Sequence, residues 1–94
     1  MKFTVTKEAI REGVRGDCTL CPVALAIMSA LPAGFYVDVN RVGILLHKIV
    51  DVGNFKTFAR IRTPKICRDF IDAFDENNPV LPFEFDLPVE EYLK

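Results

Sequence analysis

The spacing of hydrophobic residues along the chain predicts nine secondary-structure elements. Apolar and polar residues alternate over 35–39 and 82–87, which is the two-residue period of a β-strand. Ile66, Phe70 and Phe74 instead recur at the spacing of one helical face. Thr63-Pro64 before them has the composition of a helix start, with Thr as N-cap and Pro at the first helical position. The predicted elements are a strand at 3–6, helices at 7–13 and 22–31, strands at 35–39, 42–47 and 56–62, a helix that begins at 63–64 and is ended by Asn77-Asn78-Pro79, a strand at 82–87 and a short helical turn at 89–93.

The order of these elements indicates an α+β fold in which residues 1–94 form one domain. Three successive strands imply antiparallel hairpins, and Asn40-Arg41 is a two-residue turn candidate between the first two of them. The helix at 22–31 is apolar around most of its circumference, which is typical of a buried helix. We therefore expect the order β-α-α-β-β-β-α-β-α, with a mostly antiparallel sheet packed on a buried central helix.

Composition and charge argue against two classes of binding partner, duplex nucleic acid and membranes. Twelve basic residues nearly balance thirteen acidic ones, for a net charge of −1. This balance argues against a protein that coats duplex nucleic acid, because affinity there comes mainly from neutralising phosphates. No segment approaches the roughly 20 apolar residues that span a bilayer. The start of the chain also lacks the apolar core of a signal peptide. We therefore expect a cytoplasmic protein without a membrane partner.

The stretch RGDCTLCPVALA at 15–26 is the most informative one for function, because it places a polar turn directly before a helix that begins at Pro22. Unpaired N–H groups and the helix dipole favour negative charge at such an end. The turn could therefore hold an anion, lower the pKa of a thiol, or simply cap the helix with Asp17 or Thr19. The sequence does not select among these three interpretations.

Arginines suggest an anionic ligand. Arg60 and Arg62 lie two residues apart on one face of a predicted strand, just before a second helix start. A phosphate, a nucleotide or an acidic peptide could bind between arginine forks and backbone N–H groups. The alternative is a solvated sheet face whose arginines pair with Glu84, Asp86 or Asp38. The predicted ligand-binding residues are Arg15, Gly16, Asp17, Thr19, Arg60 and Arg62.

Cysteine and histidine offer a second kind of chemistry. Cys18-x-x-Cys21 at a helix start resembles a dithiol redox motif, but three cysteines in a reducing compartment are expected to be thiols. A zinc site needs four ligands, so it would require the entire set of Cys18, Cys21, His47 and Cys67. Core packing explains Cys67, and a strand end explains His47. We expect the cysteines to be dispensable to the fold and no cofactor, with zinc as the alternative.

Little in the sequence points to catalysis. There is no Ser-His-Asp pattern and no phosphate loop, and His47 is the only histidine available as a general base near neutral pH. The carboxylates of Asp72, Asp75 and Glu76 fall on the outer face of a predicted helix, where they are expected to serve solubility. We therefore predict a protein that is not an enzyme and has no catalytic residues.

Two segments, RGxxxxCPVALAI at 15–27 and FDxxxxVLPFEFDLP at 74–88, resemble segments of small accessory proteins of bacteriophages and their bacterial hosts. The resemblance implies a compact accessory protein made in the cytoplasm of the infected bacterium. Such proteins often bind and block a host enzyme or defence system, or sequester a signalling nucleotide. We expect binding of a host protein or a small anionic ligand, and a homodimer is compatible with this. The alternatives are a nucleotide-binding sponge that uses arginines and a helix N-terminus, and a zinc- or thiol-dependent protein built on Cys18 and Cys21.

Overall fold

A computed structural model, which describes residues 1–93, confirms the α+β class and the order of the elements. Antiparallel strands and short helices alternate as the hydrophobic spacing predicts. Their bounds differ from the predicted ones by a few residues, which is usual at element ends. The elements are β1 (Lys2–Val5), α1 (Lys7–Glu12), α2 (Pro22–Ala30), β2 (Phe35–Val39), β3 (Gly43–Asp51), β4 (Asn54–Arg62), α3 (Lys65–Asp75), β5 (Phe83–Asp86) and a 3-10 helix (Glu90–Tyr92).

The strands form two antiparallel sheets. One sheet joins β1 to β5, and the other has the order β2-β3-β4. Phe3 of β1 lies opposite Phe85 of β5, and their rings stack with centroids 5.5 Å apart. This pairing brings the two ends of the described chain together, and it places apolar rings of the smaller sheet in the core.

Helix α2 lies at the centre of the core, as its all-round apolar surface predicts. It packs against both β1 and β2, and Val23 and Ile27 are fully buried. Its N-cap is Cys21, whose Sγ accepts a hydrogen bond from the backbone N–H of Ala24 at 3.4 Å. Of the three interpretations of this turn, the one in which Asp17 or Thr19 caps the helix is therefore wrong, because Cys21 occupies the N-cap position.

Two predicted turns also differ from the structure. Residues 40–42, rather than Asn40-Arg41 alone, separate β2 from β3, because Asn40 Oδ1 accepts hydrogen bonds from the N–H groups of Val42 and Gly43. Thr63 does not cap α3, whose N-cap is Pro64. The buried Thr63 hydroxyl donates instead to the carbonyl of Asn40 at 2.7 Å. This bond fixes the start of α3 against the β2–β3 turn.

The larger sheet presents one face to the core and the other away from it. Val37, Ile44, Leu46 and Ala59 are buried on the core face. A β-bulge interrupts the pairing of β3 with β4 after Leu46. Leu46 lies opposite Ala59 and His47 lies opposite Thr57, so Phe58 has no partner in the ladder. We call the opposite surface the outer face. It carries Tyr36, Asp38, Leu45, His47, Ile49, Phe55, Thr57, Arg60 and Arg62.

The helices of this fold are short. The longest, α3, has 11 residues, whereas crossing a bilayer takes roughly 20 apolar residues in a helix. Within residues 1–93, no helix combines the length and the apolar character needed to cross a membrane.

Candidate functional site

The polar turn before α2 is closed by its own side chains. Asp17 Oδ1 accepts hydrogen bonds from the N–H groups of Thr19 and Leu20 at 2.8 and 3.0 Å and from the Thr19 hydroxyl at 2.9 Å. The backbone N–H of Thr19 is the main reason that the pKa of Asp17 is lowered. Two of the predicted ligand-binding residues, Asp17 and Thr19, are therefore already occupied with each other.

Arg15 and Gly16 bind the carboxyl-terminal end of α3. Arg15 Nε donates to the Phe74 carbonyl at 3.0 Å, Nη2 donates to Asn77 Oδ1, and the guanidinium lies 5.3 Å from the centre of the Phe74 ring. The Gly16 N–H donates to Asp75 Oδ1 at 3.0 Å. A helix end leaves carbonyls without intrahelical partners, and Arg15 satisfies one of them. The expectation that Asp75 serves only solubility is wrong, because its carboxylate anchors this turn.

A cavity of about 180 Å³ lies between this turn and α3. The residues that line it include Phe70, Phe74, Asp17, Asp75 and Arg41. Arg41 itself pairs with Asp72. An anion in this cavity would meet two carboxylates, so the turn is a poor place for a phosphate.

The thiols near this cavity are of two kinds. Cys18 is exposed, whereas Cys21 and Cys67 are buried. Burial raises the pKa of Cys21 and raises that of Cys67 to about 12. Both buried thiols therefore stay protonated near neutral pH, and a protonated thiol is a poor nucleophile. Residues 1–93 contain no group of three or more His, Cys, Asp or Glu side chains placed to hold a metal ion.

His47 is the centre of a hydrogen-bonded cluster on the outer face. Its Nε2 lies 2.6 Å from Asp38 Oδ2, and its Nδ1 lies 2.8 Å from Thr57 Oγ1. The rings of Tyr36 and Phe55 lie 4.7 and 5.1 Å from the imidazole, which is only 4% exposed. Because both ring nitrogens have partners, the cluster ties β2, β3 and β4 together. Alternation along β2 and β3 predicts that Tyr36 and Asp38 share a face with His47. It does not predict which residues of the two strands lie opposite each other.

A cluster of arginines lies beside the start of α3, and we call it the arginine cleft. It encloses about 190 Å³ and is lined by Arg41, Val42, Arg62, Thr63 and Arg68. The guanidinium of Arg41 binds both oxygens of Asp72, at 2.5 and 3.0 Å. This hydrogen bonding lowers the pKa of the Asp72 carboxyl. Arg41 is thus held at the edge of the cleft by an acidic partner.

The two other arginines of the cleft are less well satisfied. Arg68 Nε is buried and has no hydrogen-bond partner within residues 1–93. Arg62 is exposed, and the ion pairs formed within that range do not include it. A buried donor without a partner costs about 1–3 kcal/mol. Arg62 and Arg68 line the same cleft, so an anion bound there would lie beside both side chains.

The predicted ligand-binding residues therefore do not form one site. Arg15, Gly16, Asp17 and Thr19 belong to the turn, and Arg60 lines a separate shallow cavity with Phe58 and Tyr92. Only Arg62 of the predicted set lies in the arginine cleft. Arg41 and Arg68 were not predicted. They come from two other segments of the chain, and residue spacing within one segment does not indicate which segments meet in the fold.

Two of the three carboxylates that the sequence suggested as partners of Arg60 and Arg62 have other partners. Glu84 pairs with Lys2, and Asp38 binds His47. No family model, curated protein or solved structure matches this chain.

Proposed function

We propose that this is a binding protein without enzymatic activity, and that its arginine cleft holds the phosphate or carboxylate group of its target. The observation that carries the proposal is the buried Arg68 Nε, which has no partner within residues 1–93. Arg62 lines the same cleft. Two guanidinium groups on one small cavity match a tetrahedral or planar anion, because each offers a planar fork of N–H donors.

The start of α3 supports the same ligand charge. Thr63 and Pro64 precede the helix, and its first N–H groups point toward its N-terminal end. Their partial positive charge has the same sign as the arginines, so it adds to their attraction for an anion. Of the predicted pair Arg60 and Arg62, only Arg62 lines the arginine cleft.

The target class follows from the resemblance to phage accessory proteins. We infer a protein that acts in the bacterial cytoplasm and binds either an acidic surface of a host protein or a small anionic ligand such as a nucleotide. A homodimer is compatible with this proposal and is not required by it. The interpretation of the turn at 15–21 as the binding site receives no support from the contacts of Arg15 and Asp17.

The experiment is titration of the protein with inorganic pyrophosphate, followed by calorimetry and by backbone NMR shifts. Arg62→Ala is expected to weaken binding about 10- to 100-fold, the range of a lost hydrogen bond to a charged group. Arg68→Ala should have an effect in the same range. Arg11→Ala, on the exposed surface of α1, is the matched control and should bind as the original protein does.

Two results would contradict the proposal. One is the absence of saturable pyrophosphate binding to the original protein. The other is unchanged binding by folded Arg62→Ala, with NMR shifts that map to the turn around Arg15 instead of the cleft. Because Arg62 is exposed, its replacement is not expected to unfold the protein, and an unfolding curve checks this.

A further inference from the structure

The outer face of the β2-β3-β4 sheet combines exposed aromatic and basic side chains. Phe55 is 57% exposed, and Tyr36 is half-buried beside it. A recess of about 240 Å³ lies among Tyr36, Ile49 and Phe55. Arg60 and Arg62 continue along the same strand as Phe55 and on the same face. Ile49 and Phe55 are both more than half exposed and line the same recess, and an exposed patch of adjoining apolar side chains often marks an interaction surface.

The aromatic part of this face is held rigidly. The rings of Tyr36 and Phe55 meet edge to face, with centroids 5.4 Å apart and planes at 73°. His47 packs against both rings, and its two nitrogens are fixed by Asp38 and Thr57. A platform that is already ordered loses little conformational entropy when a ligand stacks on it.

Two arginines give the outer face its basic end. Arg60 and Arg62 lie on this face, whereas Lys48 and Lys56 pair with each other on the opposite face. Asp38, which is acidic and also lies on the outer face, is bound to His47. Arg60 and Arg62 lie about 15–25 Å along the strand from Phe55 at the usual rise per residue. Beyond them the basic surface continues into the arginine cleft, which Arg62 also lines. Aromatic rings are therefore followed by a track of guanidinium groups.

We infer that the outer face binds single-stranded nucleic acid, with bases stacked on Phe55 and Tyr36 and phosphates along Arg60 and Arg62 into the arginine cleft. This inference rests on the proposed function, since Arg62 belongs to both surfaces. Every base has a face that can stack on an aromatic ring, and a basic groove follows the backbone. A duplex does not fit, because its bases are stacked on each other and are not free to meet a sheet.

An acidic peptide is the competing occupant, and the structure favours it less. An extended peptide would add to the open edge of β4, which is the last strand of the sheet. Tyr92 packs near that edge, with its ring 6.2 Å from that of Phe58, and the two line a cavity with Arg60. A peptide on the edge would also leave the ring of Phe55 without a role.

The direct test uses the fact that the chain contains no tryptophan. Phe55→Trp places a single fluorophore on the outer face, and stacking of thymine bases from an oligothymidylate of about 12 nucleotides should quench it with saturation. Leu81→Trp is the matched control, because Leu81 is 80% exposed in the segment before β5; its fluorescence should not change. Absence of quenching in Phe55→Trp would overturn the inference.

A second set of variants separates stacking from charge. Phe55→Leu keeps an apolar side chain but removes the ring, and it should weaken oligothymidylate binding about 5- to 100-fold, the range of one lost base stack. Arg60→Ala should lower the slope of log affinity against log salt by about 0.7, one phosphate contact on a single strand. Arg11→Ala should change neither quantity.

The outcomes distinguish this inference from the proposed function. Pyrophosphate should bind Phe55→Leu as it binds the original protein, because the cleft is intact. If pyrophosphate binds the original protein but oligothymidylate does not, the inference fails and the proposed function stands. The inference also fails if Phe55→Leu binds oligothymidylate unchanged, or if polyglutamate binds more tightly than oligothymidylate at about 50 mM salt.

Discussion

An arginine lies at each end of α3, but the two arginines differ in how well their N–H donors are satisfied. At the C-terminal end, Arg15 donates to the Phe74 carbonyl and to Asn77 and lies over the Phe74 ring. At the N-terminal end, Arg68 keeps a buried N–H without a partner within residues 1–93, and Arg62 lies beside it. An arginine is therefore a good ligand-binding candidate only where the chain leaves its donors unsatisfied.

The polarity of a helix explains this difference. A C-terminal end presents carbonyl oxygens without partners, and a guanidinium satisfies them from within the same chain. An N-terminal end presents N–H groups of the same sign as arginine. Side-chain oxygens of hydroxyl, amide or carboxylate groups can complete such an end, and among the arginines that line the cleft Arg41 is bound by the Asp72 carboxylate. The proposed function assigns an anion from outside the chain to Arg62 and Arg68.

The largest expected effect lies at the C-terminal end, where the arginine is part of a packed structure. Phe74 is buried, and its ring stacks on Phe70 at 5.8 Å. Phe74→Ala should lower the free energy of unfolding by about 3–5 kcal/mol, because it leaves a cavity. Ile66→Ala, at the half-exposed other end of α3, should cost under about 1 kcal/mol. Urea unfolding measures both, and similar costs would contradict the comparison.

Arg15→Ala is expected to have the next largest effect, and on stability alone. It removes two hydrogen bonds and the contact with the Phe74 ring, so the free energy of unfolding should fall by about 1–3 kcal/mol. Pyrophosphate affinity of the folded variant should not change. Calorimetry on the same sample measures affinity. A tenfold loss of affinity with unchanged stability would instead restore the turn as the binding site.

These regions show what the sequence could predict and what it could not. Alternation gave β2 its observed bounds of Phe35–Val39, because a strand's period depends on neighbouring residues only. The helical spacing of Phe70 and Phe74 likewise predicted their burial. The Arg15 contact joins residues 59 positions apart, so only the tertiary fold decides it.

Residues of the cleft were missed for the same reason. Arg68 falls between the apolar positions of α3, a pattern typical of a solvent-facing side chain. Its Nε is nevertheless buried. The sequence indicated one residue of the cleft, Arg62, because it precedes a helix start. Its companions Arg41 and Arg68 come from a turn and from the next helix.

Replacing Asp72 tests the arginine cleft by removing the carboxylate that binds Arg41. Arg41 is the cleft arginine that already has a carboxylate partner, so Asp72→Asn frees one more guanidinium fork. Pyrophosphate should then bind more tightly, by up to about fivefold, since exposed ion pairs are weak. Glu84→Gln, which removes a carboxylate that pairs with Lys2 in the other sheet, is the control. Weaker binding by Asp72→Asn would show that Arg41 needs its partner to face the ligand.

The smallest expected effect is the change in the pKa of the Asp72 carboxyl when Arg41 is replaced. The hydrogen bond from Arg41 is the main reason that the pKa of this carboxyl lies below its ordinary value of 3.8. A carboxyl with a lowered pKa in the folded state stabilises the protein above its unfolded pKa, and that contribution is lost as the pH falls through the folded pKa. The carboxyl ¹³C shift of Asp72 should therefore have its midpoint below 3.8. In Arg41→Ala the midpoint should rise toward that value. An Asp72 midpoint that does not respond to Arg41→Ala would mean that the two side chains are not paired in solution, and the Arg41 guanidinium would then be open to the ligand.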